Sequence, residues 1–395
     1  MTDFTLEVLG RLERWGSARG WIGADPYEGL NSPLARLAPS RRTRQAVVQL
    51  YRRFPFDPPW PLRTMPSANA KALALALSAY ATPVGQTLPG AERYLTQLPQ
   101  HLAQLNLRRD GAAWGYPFDV QTRSIYYTRE TPNAIATCFV VEGLIDAFEA
   151  TAEDPLARLA ISARPFLLSL LKERPVAGRF FAYVESGSQL IHNANMLVCG
   201  ALARLHGLDP DPNAASAVIE AAQTTLSLQR EDGLWPYGEA DNLTWRDNFH
   251  TAYTLEGTAR ISAVFGLGSD SLARGVRAWQ ARFFEQDGAA RYHPGRRYPL
   301  EPHCYASTID LLTMVNGGDS QLDLAVHVAR SAIDELWMPD ARHFAYRRTR
   351  LGRNPRPFMR WTNAPMFRSL ARLATALAAE PQPSRTTTYS PTSHR

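Results

Sequence analysis

Three histidines, His192, His250 and His303, each stand at the start of an apolar segment with helical period. The phrases around them read HNAN, DNFH and PHCY. An imidazole changes charge near neutral pH, so it serves as acid and as base in turn. A lone histidine on an apolar face is ordinarily a satisfied core residue. Three at matching positions in successive segments point to a site, with His250 as its acid/base. Asp247, three residues before His250, is placed to orient that ring or to act as a second carboxylate. Asn193, Asn248, Arg360 and Trp361 occupy the same helix starts and offer groups for substrate hydroxyls or a carboxylate. Thr131, Asn193, Asp247 and Thr362 also suit helix capping, whose oxygens satisfy first-turn amides.

Carboxylates near these starts are Asp119, Glu130, Asp247 and Glu301, with Glu256 nine residues into its helix. Hydrolysis of a glycosidic bond needs two, one as acid and one as base or nucleophile. Asp119 and Asp247 are the best pair for that. Proton abstraction beside a uronate carboxylate needs a His or Tyr base and a cation, which His250, Tyr305, Tyr127 and Arg360 supply. No HExxH, CxxC or acid-rich loop is present, so neither a metal nor a cofactor is expected.

The elements that must position these groups come from a repeat. A turn, an aromatic or small residue, one residue and a tyrosine precede each apolar segment: DGAAWGY, AGRFFAY, DGLWPY, DGAARY and ARHFAY. The tyrosines, at positions 116, 183, 237, 292 and 346, are 67, 54, 55 and 54 residues apart. Such a period marks a repeat architecture. Each apolar segment is followed, except in the last unit, by an amphipathic one: 154–172, 211–229, 270–284 and 320–336. Buried helices alternating with amphipathic ones predict an inner and an outer ring. The expected fold is an all-α (α/α)6 toroid of helical hairpins, a single domain over residues 1–378. Helices are expected near 1–20, 41–54, 69–82 and 91–106, the second basic and amphipathic; strand signals are weak throughout. The Pro/Ser/Thr-rich residues 379–395 are expected to be disordered.

In such a ring the inner helices start on one side. Their free first-turn amides and dipoles would favour an anionic or hydroxyl-rich ligand at the mouth. Trp114, Tyr116, Trp235 and Tyr237 fall at the rim. They suit sugar stacking, or equally wedges between hairpins.

Composition is that of a globular protein, 45% hydrophobic and 20% charged. No apolar run reaches the roughly 18 residues of a spanning helix, and no signal segment is read at the N-terminus. The three dispersed cysteines, Cys138, Cys199 and Cys304, fit a reducing compartment, so the cytoplasm is the expected location. The net charge of +6 is almost all arginine, Lys71 and Lys172 being the only lysines. Arginine codon bias accounts for this, as does an anionic substrate. The arginines form no single stripe and no reader motif is seen, which excludes nucleic acid as the expected partner.

Six phrases taken together resemble the VpsJ-like proteins of bacterial polysaccharide biosynthesis: GADPYEGLNSP, AWGYPFD, TPNAIAT, HNANML, DNFHTAY and FMRWTNAPMF. The resemblance spans about residues 20–375. It implies an α-helical toroid and a role in polysaccharide or lipopolysaccharide assembly, and it assigns no catalytic residue. Gln229, Gly233 and Trp235 also match the core of the QW repeat of terpenoid cyclases, toroids in which that repeat braces hairpins. Their aspartate-rich DxDD motif is missing here.

The resulting expectation is an enzyme acting on a glycan or glycosyl precursor, as hydrolase, lyase or uronate epimerase. A terpenoid cyclase or prenyltransferase-like protein, and a non-catalytic glycan-binding scaffold, are the alternatives. Oligomeric state is open.

Overall fold

The structure is a computed structural model and describes residues 2–122, 125–174, 178–315 and 319–379. Of the tail expected to be disordered, 379–395, Ala379 ends a helix and the rest lies outside the described residues, as does Ala177 of the second repeat phrase.

Six helices form the inner ring: α3 (Ala70–Ala81), α6 (Ala134–Thr151), α9 (His192–Leu208), α11 (Asn248–Phe265), α13 (Pro302–Met314) and α15 (Ala364–Ala379). Each packs on the next, and α15 returns to α3, closing the ring. They are apolar almost all round, and every residue of α3 is buried. Outside them lie α5 (Ala91–Gln104), the broken pair α7 (Asp154–Ile161) and α8 (Arg164–Ser169), α10 (Pro212–Ser227), α12 (Ser269–Phe283) and α14 (Asp319–Leu336). These put one face on the inner ring and the other in water, as their amphipathic period requires. The single turn α4 (Pro83–Gln86) joins α3 to α5.

The last repeat unit has no outer helix after it. Its partner is the first helix of the chain, α1 (Thr2–Ser17), which packs on α15 with Leu9 and Leu12 fully buried. The sixth hairpin therefore joins the two ends of the sequence. Ring closure also demands close approach between inner helices. A side-chain carbon on Gly143 of α6 would lie 2.6 Å from the Ala74 carbonyl of α3, and one on Gly257 of α11 would collide with the Met196 carbonyl of α9. Only glycine lets these backbones approach so closely.

The weak strand signals correspond to four two-stranded antiparallel ribbons: 120–121 with 126–127, 171–174 with 178–181, 337–338 with 343–344, and 347–349 with 352–354. In the second, Leu171 faces Phe181; in the third, Trp337 faces Phe344. Two of the ribbons deliver the chain into a repeat tyrosine. The basic amphipathic helix α2 (Arg41–Arg53) stands apart from both rings, its start fixed by a Ser40–Thr43 capping box.

Candidate active site

At the N-terminal ends of the inner helices is a cavity of about 420 Å³. All six inner-ring units contribute: Lys71 from α3, Ile135 from α6, Asn193 from α9, Phe249, His250 and Tyr253 from α11, His303 from α13, and Arg360 with Trp361 just before α15. Residues as far apart in sequence as Tyr27 and Trp361 thus share one space. Helix α2 forms part of the roof through Gln45, Val48, Gln49 and Arg52, one face of the helix.

Four of the five repeat tyrosines line this space: Tyr116, Tyr183, Tyr237 and Tyr292. Three of them are held by a shared backbone device. Ala134, His192 and Asn248, the first residues of α6, α9 and α11, donate their amides to the carbonyls of Tyr183, Tyr237 and Tyr292 at 2.9, 3.1 and 3.0 Å. Each of these three helices is thereby tied to the tyrosine of the following unit. This corrects the expectation of free first-turn amides at the mouth. Further first-turn amides are taken by caps: Lys71 N by Asn69, Ala136 N by Asn133 and His250 N by Asp247. The fifth tyrosine, Tyr346, is buried outside the cavity, its hydroxyl bonded by Arg52 Nε at 2.7 Å.

The aromatic two places before the tyrosine is a wedge. Trp114 Nε1 donates to the Leu102 carbonyl and Trp235 Nε1 to the Thr225 carbonyl, both at 2.7 Å and both near the end of an outer helix. Trp114 is fully buried. Trp235 borders only a narrow recess beside Asn193 and His250.

Asp247 and His250 form a tight pair. Asp247 Oδ1 accepts from the His250 amide at 3.0 Å, capping α11, and Oδ2 accepts a hydrogen bond from Nδ1 at 2.7 Å. With the proton on Nδ1, Nε2 is a lone-pair acceptor, and it has no hydrogen-bond partner among the described residues. The Tyr237 ring meets the imidazole edge-on at 4.6 Å, and Phe249 separates it from His303.

His303 lies flat on Trp361, centroids 4.4 Å apart. Its Nδ1 donates to the Trp361 carbonyl at 3.1 Å, and its Nε2 accepts from the Tyr253 hydroxyl at 3.0 Å. Burial first, then the charge of Lys71, hold its pKa well below the usual imidazole range, so the ring is neutral. Lys71 donates to the same Tyr253 oxygen at 3.4 Å and sits 3.8 Å from the Phe139 ring centre. Burial, followed by the cations Arg360 and Arg368, pushes its amine well below the ordinary lysine range. No carboxylate pairs with it among the described residues. Arg360 is gripped by Asp25 through Nε and a terminal nitrogen, the latter at 2.8 Å, and its guanidinium lies 4.8 Å from the Tyr116 ring.

Tyr116, Asn193, Tyr237, Asp247, His250, His303, Arg360 and Trp361 are therefore brought together, and Tyr127 joins them. Asn193 is no cap: its buried Oδ1 has no partner and the residue lines the cavity. Other expected site residues stand elsewhere. His192 turns away, bonding Thr225 at 3.1 Å and Glu239 at 2.8 Å. It is the first residue of its helix, whereas His303 is the second and His250 the third. One position rotates a side chain by about 100°, and the His192 ring leaves the cavity that His250 and His303 reach. Asn248 receives Trp279 Nε1 at 3.0 Å and donates to the Arg291 carbonyl, bracing α11 on α12. The Tyr305 hydroxyl meets Ser331 at 3.4 Å between α13 and α14. Asp119 accepts from Tyr126 and from the Arg129 amide, closing a ribbon turn. Glu301, fully buried, accepts from Trp361 Nε1 at 2.9 Å and pairs with Arg347. Glu256 is neutralised by Arg260. Thr131 is not a cap, since Asn133 has that role, and Thr362 bonds the Phe358 carbonyl. Asp247 is the single carboxylate among the described residues that line the cavity.

Lys71, Tyr253 and Asp25 escaped the sequence reading. Lys71 had a signal: it is one of two lysines and interrupts the otherwise apolar run of α3.

No protein-family model matches the chain, and no curated protein matches it in sequence. Solved structures do match. A glycoside hydrolase family 76 α-mannanase from Bacteroides thetaiotaomicron is 15% identical, with a TM-score of 0.61, over 80% of this chain and 88% of that one. The unsaturated glucuronyl hydrolase of Bacillus sp. GL1 is 14% identical, with a TM-score of 0.61, over 94% and 97%. The cellobiose 2-epimerase of Bacillus thermoamylovorans is 11% identical, with a TM-score of 0.59, over 94% and 99%. The shared feature is the α/α toroid.

Proposed function

We propose that the chain is a carbohydrate-active enzyme that moves a proton on an anionic glycan or glycosyl precursor, with epimerase- or lyase-type chemistry. The observation that carries this is the Asp247–His250 pair, which leaves an unpartnered imidazole nitrogen at a cavity walled by tyrosines. The reacting carbon would be acidified by a neighbouring carbonyl or carboxylate. His250 Nε2 takes its proton as the C–H bond breaks. Negative charge then builds on the adjacent oxygen, where Arg360 and Lys71 oppose it. The Tyr253 hydroxyl gives its proton to the other side of the carbon, or to the departing oxygen in an elimination, and is left as a phenolate beside Lys71.

Hydrolysis by two carboxylates fits less well, because among the described residues the cavity lining supplies only Asp247. A terpenoid substrate fits poorly too, since a hydrocarbon cation gains nothing from Lys71 and Arg360. An anionic sugar would favour the protonated form of Lys71, a buried amine that no carboxylate pairs with among the described residues. The structural neighbours' own names, mannanase, glucuronyl hydrolase and cellobiose epimerase, support a glycan as the ligand class. The VpsJ-like phrases support a place in polysaccharide or lipopolysaccharide assembly.

The test is deuterium exchange. The protein is incubated in D₂O with uronic acids, sugar phosphates and neutral reducing sugars, and carbon-bound protons are followed by NMR. Loss of the signal beside the carbonyl or carboxylate of an anionic sugar is expected. Binding without exchange would leave a glycan-binding scaffold, and release of a free sugar without exchange would restore the hydrolase.

A further inference from the structure

Five of the eleven large apolar side chains that remain exposed among the described residues fall within residues 37–65. They are also among the barest in the chain: Met65 at 81%, Leu37 at 77%, Trp60 at 75%, Phe56 at 69% and Leu50 at 49% exposed. Scattered exposed apolar residues need no explanation, but a concentration of them marks an interaction surface. The elements that carry them are packed together. The 3₁₀ turn Pro33–Leu37 lies against the 3₁₀ turn Trp60–Leu62 and against α2, and the Thr64 hydroxyl meets that of Tyr51 of α2 at 2.8 Å. Buried Leu62 and Tyr51 anchor the patch, so its bareness is not that of a loose loop.

Charge singles out the partner. Residues 36–65 contain seven arginines and one acid, Asp57, an excess of six, which equals the net charge of the whole chain. Arg36, Arg41, Arg42, Arg53 and Arg63 are exposed, and none forms an ion pair among the described residues. A protein partner of ordinary composition would not call for this one-sided excess. An anionic bilayer does, because its surface attracts arginine while its interface accepts tryptophan, phenylalanine and methionine. We propose that this surface docks the protein on an anionic lipid membrane, with Phe56, Trp60 and Met65 entering the interface and the arginines meeting the headgroups. The attachment is peripheral, since no helix among the described residues is long and apolar enough to cross a membrane. Helix α2 also roofs the cavity, so a glycan borne on a lipid would be presented beside it. The docking does not depend on the chemistry proposed for the cavity.

The experiment is co-sedimentation of the full chain with vesicles of phosphatidylcholine alone, or mixed with phosphatidylglycerol. Binding to the mixed vesicles only, weakening with salt, is expected. Arg41→Gln with Arg42→Gln should lower the partition about 25-fold at low salt, about fivefold per arginine. Phe56→Ser, Trp60→Ser and Met65→Ser together should abolish it at every salt concentration. Circular dichroism should show unchanged folding, since these side chains are exposed. The proposal is overturned if the wild type ignores phosphatidylglycerol vesicles at low salt, or if the variants bind as it does. It is equally overturned if the apolar triple substitution instead dissolves a self-association or releases a protein partner while lipid binding is unchanged.

Discussion

Replacing Asp247 with Asn separates its two tasks. One oxygen caps α11 through the His250 amide at 3.0 Å; the other holds the Nδ1 proton at 2.7 Å. Asparagine has one oxygen and one NH₂. If the oxygen keeps the cap, the NH₂ must face Nδ1, which then has to accept. The ring proton moves to Nε2, and the imidazole can no longer act as a base on the cavity side. Asn caps a helix about as well as Asp, so stability should change by less than about 1 kcal/mol. Loss of a positioned general base costs about 10²–10⁴ in rate, or roughly 3–5 kcal/mol of barrier. Asp247→Ala should lose the rate and also about 1 kcal/mol of cap. The assay is the deuterium-exchange rate on a responsive sugar, run beside guanidinium unfolding of the same samples. An Asp247→Asn protein that stays folded and exchanges within about threefold of wild type would refute the base assignment.

Three further outcomes are expected. Lys71 binds its proton less readily when folded than when unfolded, so wild-type stability should rise as pH climbs toward the ordinary lysine value of 10.5. Lys71→Met lacks that increment, and its stability difference from wild type, measured in urea, should narrow over the same range; a constant difference would contradict the uncompensated amine. Burial, reinforced by Asp25, pushes Glu28 from 4.5 up to about 8. Its contribution is whole below pH 4.5 and lost as pH rises through 8, on the order of 5 kcal/mol at most; Glu28→Gln should flatten the wild-type decline across that window. Gly257→Ala should drive α11 off the Met196 carbonyl of α9 and cost about 1–3 kcal/mol by thermal unfolding, despite alanine's better helix propensity.

Much of the site was legible because a repeat turns sequence period into spatial register. The spacing puts five tyrosines at equivalent positions; Tyr116, Tyr183, Tyr237 and Tyr292 line the cavity, and Tyr346 does not. Register finer than one helical turn was not legible. His192, His250 and His303 look equivalent in the sequence, yet their offsets of one residue leave the first between α9 and α10. Wedge and platform were likewise indistinguishable at Trp114 and Tyr116, because the choice depends on which carbonyl lies within reach of the indole.

The amino-acid order by itself determined the alternation of buried and amphipathic helices, the number of units and the end of the ring at which polar side chains gather. Those follow from local periodicity, which each segment carries without reference to the others. Tertiary structure alone decided that α1 completes the last hairpin, that the leading amides are spent on the next tyrosine, and that Lys71 meets Tyr253 and Asp25 meets Arg360. The Asp25–Arg360 contact joins residues 335 positions apart, and α1 meets α15 across a still longer stretch. Their geometry is set by closure of the whole ring, which no local window of the chain contains.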